Sequence, residues 1–253
     1  MKRVRKSEEP AGLAKIVQTH PQAKWDDQVV RKARPEIRRR VANDQGGLCA
    51  YCESKLLEYD PDRWGIEHFV AKSLAVSIGP NWHLDWSNML GVCKGGEVDP
   101  KPRVLHCDRY KNAVNHQPPL PEDCRGWILN PLELPALPSL FSLDLTTGAL
   151  SPDAAACQLV AITNNSHPTL VELVQATIDH LNLNCPKLCE KRRAVGQEID
   201  KQIDRAKARG KTLEDLVASI FSDDTNWPEF FTVYLIRLGA PAMRFLQRSL
   251  YRG

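Results

Sequence analysis

Cys49-Ala50-Tyr51-Cys52, then Glu67-His68, then Asn88, then Cys93, and last His106-Cys107-Asp108-Arg109-Tyr110-Lys111: these pieces of one stretch decide how the chain is read. Four thiols arrive in two halves, Cys49 and Cys52 before the Glu-His pair, Cys93 and Cys107 after it. Four thiolates close a tetrahedral zinc site with no position left for chemistry, so this set reads as structural. His106 is the competing fourth ligand, and Cys107 is preferred because a metal there holds the neighbouring Asp108 in place. Glu67, His68, Asn88, Asp108 and Lys111 are left free for chemistry. The long insert between Cys93 and Cys107 departs from the tight Cys-x2-Cys spacing of ordinary zinc ribbons.

Working outward, the chain has 253 residues, enough for one large domain or two small ones, and 42% of them are hydrophobic, enough for a sizeable core. No apolar run is long enough to span a bilayer. No apolar segment follows the N-terminal charges, so a secretory signal is not expected and the location expected is cytoplasmic. Eight cysteines in a reducing compartment point to metal ligation over disulfides. The formal net charge of +3 is too small to identify a nucleic-acid binder. Its distribution says more: Lys2, Arg3, Arg5 and Lys6 open the chain, and Arg31, Lys32, Arg34, Arg38, Arg39 and Arg40 crowd the approach to Cys49. Such a cluster can neutralise phosphates, or it can be no more than a solvated helix face.

Before Cys49 the pattern predicts a short helix carrying Leu13 and Ile16, then an amphipathic helix over 26–44 interrupted at Pro35. A strand is expected over 63–69. Asp108 and Lys111 fall three apart, on one face of a short helix. After residue 112 the composition shifts: 115–124 reads as a linker, and Phe141 to Leu150 as a hairpin turning at Gly148. From Pro168 onward the chain is expected to be mostly helical, in segments 169–181, 186–209, 213–221, 227–238 and 241–250. Cys124 and Cys157 read as structural, and no Walker A motif is present.

The order Cys-x2-Cys, Glu-His, Asn, Cys, Cys-Asp-x2-Lys resembles the HNH endonucleases. With Trp86-Ser87-Asn88-Met89-Leu90, Cys93-Lys94-Gly95-Gly96, Leu129-Asn130-Pro131 and Leu181-Asn182-Leu183-Asn184, the chain looks most like the PtuB-type HNH nucleases of Septu and retron anti-phage systems. The resemblance implies an α+β fold: a zinc-stapled ββα-metal core over 49–116, preceded by a basic arm and helix over 1–48. A hairpin and helical region over 117–253 would supply a partner-binding surface. It implies that Glu67 and Asp108 hold a catalytic Mg²⁺ or Mn²⁺, that His68 is the general base, that Asn88 orients it, and that Lys111 meets a phosphate. Arg38, Arg39, Arg40 and Lys111 are the expected nucleic-acid contacts. Neighbours on a strand point to opposite faces, so Glu67 and His68 can share a site only if the backbone distorts there. The implied partners are nucleic acid (DNA ahead of RNA), a PtuA-type ATPase, and in a retron a reverse transcriptase with its RNA–DNA hybrid. Two other readings stay open: the same nuclease acting on RNA such as a host tRNA, and a zinc-ribbon binding module without catalysis.

Overall fold

The computed structural model describes residues 1–56, 62–74, 79–97, 99–101, 103–113, 119–223 and 226–251. Two helices come first, α1 (Ala11–Thr19) and α2 (Gln28–Asp44). An antiparallel pair follows, β1 (Trp64–His68) and β2 (Met89–Cys93), in the register Trp64↔Cys93 to His68↔Met89, and then helix α3 (Cys107–Ala113). The second hairpin is β3 (Phe141–Leu143) with β4 (Leu150–Pro152), leading into α4 (Ala154–Leu159). Helices α5 (Leu170–His180), α6 (Pro186–Ala208), α7 (Leu213–Ile220) and α8 (Phe231–Arg248) complete the chain. The protein is α+β, with two small sheets and mostly helix. No helix of the described residues is long and apolar enough to cross a membrane.

One expectation is corrected. Helix α2 is not interrupted at Pro35: it runs through the proline without a break. A proline inside a helix removes one hydrogen bond and crowds the preceding turn. Here Val30, Ile37 and Val41, all fully buried on one stripe, keep both halves on the same core. The break expected between the segments 227–238 and 241–250 is present: Gly239, at φ 57° and ψ −134°, leaves helical space and kinks α8 just ahead of Pro241, although the first segment begins at Phe231 and not at residue 227. Elsewhere the local signals suffice. Thr169 with Glu172 and Thr212 with Asp215 form capping boxes that start α5 and α7, and Pro186 opens α6 where its missing N–H costs nothing. The boundary expected at 116 and the first part of the 115–124 linker lie outside the described residues.

One buried cluster runs from Met1 and Val4 through Leu48, Tyr51, Trp64 and Leu90 to Leu173, Phe231 and Leu246, so the C-terminal helices share a core with the first hairpin. A second cluster joins α1 and α2 to Leu84, Trp86 and Met89. Trp86 is core, with its indole N–H donated to the Ser7 carbonyl at 2.9 Å. Gln45 fastens α2 to the hairpin: its amide donates to the Leu48 and Gly91 carbonyls and accepts from the Gly91 N–H at 2.7 Å.

Candidate active site

The sulfurs of Cys49, Cys52, Cys93 and Cys107 all lie within 4.8 Å of one another. Backbone geometry explains how 14 residues of sequence separation between Cys93 and Cys107 disappear. Gly95 sits at φ +52°, where a side chain would meet the His106 carbonyl at 2.0 Å, and its own carbonyl accepts the His106 N–H at 3.0 Å. The insert therefore folds back on the knuckle and returns Cys107 beside Cys93. His106 is outside the four-thiol set; its Nδ1 lies 3.2 Å from the Cys107 sulfur, as a hydrogen-bond partner. The Cys93 N–H also donates to the Cys49 sulfur at 3.4 Å. A mutually close set of four soft donors, with one backbone N–H aimed at sulfur, fits a zinc ion.

The C-terminal region clamps these loops. The Cys107 N–H donates to the Leu181 carbonyl at 2.8 Å, and Asn182 donates to the Leu105 carbonyl at 2.8 Å. Glu53, buried one residue beyond Cys52, accepts the Thr232 N–H at 2.9 Å and hydroxyl at 2.6 Å, and lies 3.2 Å from the Met1 amino group.

Above the thiols, Glu67, His68, Asp108 and Lys111 border one cleft of about 420 Å³, together with Lys72, Glu122 and Cys124. Strand β1 ends at His68 and the chain bends at Phe69–Val70, so the two neighbours open on the same cleft. Glu67 is buried. One of its oxygens accepts the Tyr51 hydroxyl at 3.1 Å and pairs with the Lys111 ammonium; the other has no hydrogen-bond donor among the described residues. Burial pushes its carboxyl well above the usual range, Lys111 opposes this, and nearby Asp108 adds to it. Two carboxylates lining one cleft, one of them with a buried oxygen that has no partner among the described residues, suit a hard divalent cation. Asp108 also accepts from the Asn112 amide. Burial opposes the charge on Lys111, but Glu67, Cys124 and Asp108 hold it protonated more firmly than an ordinary lysine.

His68 packs edge-on against Trp25 at 4.8 Å, and its Nε2 lies 3.3 Å from the His83 carbonyl. A carbonyl can only accept, so Nε2 carries the hydrogen and Nδ1 keeps its lone pair. Burial, with Lys72 nearby, lowers the His68 pKa to about 3 and keeps the ring neutral. Asn88 does not reach the imidazole. Its side chain accepts the Val70 N–H at 2.7 Å and donates to the Val70 and Trp82 carbonyls at 3.0 and 3.1 Å. It therefore ties together the backbone just after His68 and just before His83, whose carbonyl holds the ring.

A curated relative, described as "Retron Ec83 putative HNH endonuclease" from Escherichia coli, is 35% identical over 205 residues, 77% of this chain and 79% of its own. No family profile matches. The chain belongs to the HNH endonuclease family. In this HNH endonuclease the hairpin β1–β2 and helix α3 bring together the residues that the sequence motif names in order. Tyr51, Trp25 and His83 were not legible beforehand as part of the site. Tyr51 had one signal, its place between two zinc-spaced cysteines; Trp25 and His83 had none, because tertiary packing alone carries them to His68. Of the three expected arginines, Arg38 is held inward, stacked 3.8 Å from the Trp64 ring and donating to its carbonyl at 3.1 Å. Arg39 and Arg40 are exposed on α2.

Proposed function

We propose that this HNH endonuclease hydrolyses nucleic-acid phosphodiester bonds in the cleft bordered by Glu67, His68, Asp108 and Lys111. The observation that carries the reading is the imidazole of His68 bordering the same cleft as two carboxylates, with its Nε2–H given to a carbonyl and its Nδ1 lone pair left to take a proton. His68 Nδ1 takes a proton from water, the water oxygen attacks phosphorus, and the bond from phosphorus to the leaving deoxyribose oxygen breaks, that oxygen taking up a proton from solvent. Glu67 and Asp108 are the residues that would hold Mg²⁺ or Mn²⁺, which supplies Lewis-acid stabilisation of the developing charge. Asn88 acts by holding the backbone just after His68 to the backbone just before His83. Lys111, paired with Glu67, borders the position of the phosphate. Cys49, Cys52, Cys93 and Cys107 would hold a structural zinc under the site.

The biological setting follows from the relative and the family resemblance: an effector in retron or Septu-like anti-phage defence, working with a PtuA-type ATPase and, in a retron, with a reverse transcriptase and its RNA–DNA hybrid. DNA is the substrate in this reading, and the outer faces of the 117–253 region are the partner surface. The test is incubation with labelled DNA and with total RNA, in Mg²⁺, with and without the partner ATPase. DNA cleavage that His68→Ala abolishes is the expected result. Cleavage confined to RNA replaces the substrate, and binding without cleavage of either returns the chain to a non-catalytic zinc module.

A further inference from the structure

A second groove, of about 310 Å³, shares Ile66 and Asp108 with the cleft above. Its polar lining is strongly one-signed. Arg34 and Arg38 come from α2, Lys94 from the knuckle just after Cys93, and Arg109 from the first turn of α3, against the single carboxylate of Asp108. Three separate segments thus deliver four cations to one concavity. Arg34 and Arg38 are four apart and so lie on one face of the helix. Arg39 and Arg40 border neither of these two clefts.

The cations differ in how they are held. Arg38 is anchored by the Trp64 ring and carbonyl, which use one face and one donor of a guanidinium that has five N–H groups. Its remaining donors are thus positioned before any ligand arrives. The ammonium of Lys94 makes no hydrogen bond or ion pair among the described residues. Arg34, like Arg38, is anchored, donating to the Trp25 carbonyl at 2.7 Å and lying 4.7 Å from its ring, and it pairs with exposed Asp26 at 2.7 Å, while Arg109 holds Glu97 at 2.9 Å at the rim. Such rim pairs are worth at most about 1 kcal/mol and exchange readily for a phosphate. Lys94 and Arg109 are each one or two residues from a cysteine of the zinc set, so the same staple that places Asp108 also places this wall.

We propose that this groove holds the sugar-phosphate backbone next to the scissile phosphate, with Arg38 and Lys94 as its main phosphate contacts, and that it carries the salt-dependent affinity in place of Arg39 and Arg40. The assignment of the cleaved bond to the Glu67–Asp108 cleft underlies the words "next to"; the groove's binding role is tested without cleavage. The assay is fluorescence anisotropy of fluorescein-labelled single- and double-stranded DNA and RNA oligonucleotides, titrated with the His68→Ala protein over a range of salt. Each phosphate contact removed lowers the slope of log affinity against log salt by about 0.7 for single strands and about 0.9 for duplex DNA. Lys94→Gln and Arg38→Gln should each show that loss, Lys94→Arg should recover it, and Arg40→Gln should bind like its parent. Zinc content and thermal midpoint show whether each variant is folded; should Arg38→Gln fail to fold, Lys94→Gln and its rescue decide alone. Unchanged slope and affinity in folded Lys94→Gln overturn the proposal, as does an equal loss in Arg40→Gln. Wild-type protein that cleaves nothing while the slopes behave as expected refutes the nuclease reading and leaves the groove; cleavage with unchanged slopes does the reverse.

Discussion

Asn88→Ala tests the link between fold and site most directly. The side chain is 3% exposed and makes three hydrogen bonds, all to backbone: the Val70 N–H, the Val70 carbonyl and the Trp82 carbonyl. A buried intramolecular hydrogen bond contributes about 1 kcal/mol net, and more when its partner is left orphaned, so the loss is about 3 kcal/mol. For a chain of this size each kcal/mol lowers the melting midpoint by about 2–4 °C, giving a fall of roughly 6–12 °C. Asn88→Asp should be at least as damaging, because it keeps the acceptor for Val70 but turns an oxygen toward two carbonyl oxygens. Circular dichroism gives the midpoint, and hydrogen exchange reads the Val70 amide, which should lose protection beyond the global change. Cleavage should fall in both variants while zinc content stays at the wild-type level. An unchanged midpoint together with unchanged Val70 protection in Asn88→Ala would refute the reasoning, and would return Asn88 to an ordinary turn residue.

His68→Ala should lower the cleavage rate by about 10²–10⁴ with folding and nucleic-acid affinity preserved; undiminished cleavage rules it out as the base. Cys107→Ser should lose zinc and stability together, since metal-binding energy is folding energy here; full zinc occupancy measured by elemental analysis would shift the fourth ligand to His106. Brief chelation should leave a folded, zinc-loaded but inactive protein that Mg²⁺ or Mn²⁺ restores, with Glu67→Ala and Asp108→Ala requiring more metal; identical metal titrations in all three proteins exclude these carboxylates. Lys6 is buried with its ammonium 3.5 Å from the Trp86 ring centroid, and burial, against the attraction of Asp44 and Asp85, lowers its pKa to about 7 from 10.5. Between those values the unfolded chain binds more protons, so stability rises with pH from about 7 to 10.5. Lys6→Met should be more stable at pH 7 and lose that rise; denaturant midpoints across this range check it, and a parallel, lower curve contradicts it.

Much of this protein is decided by short-range chemistry, and that part was legible in the chain. Helices α5, α6 and α7 announce themselves by caps and a stripe of apolar residues, which act within a few residues of one another. The four cysteines, Glu67-His68 and Asp108-x2-Lys111 are picked out as candidates by ligand type and spacing, and the order of the motif points to the family. Pro35 was misleading because its penalty is local, whereas the burial of Val30, Ile37 and Val41 that overrides it is tertiary. The same division runs through the site. That Glu67 would sit with Lys111 and Tyr51, that Asn88 would serve backbone groups and leave the imidazole to a carbonyl of His83, and that Arg38 would turn inward from its neighbours Arg39 and Arg40 all depend on contacts between residues far apart in the chain. Sequence spacing carries the kinds of donor and acceptor a site will have. Which donor meets which acceptor is set only when the cysteine knuckles, α2 and the C-terminal helices close around one core and bring these distant groups within reach of one another.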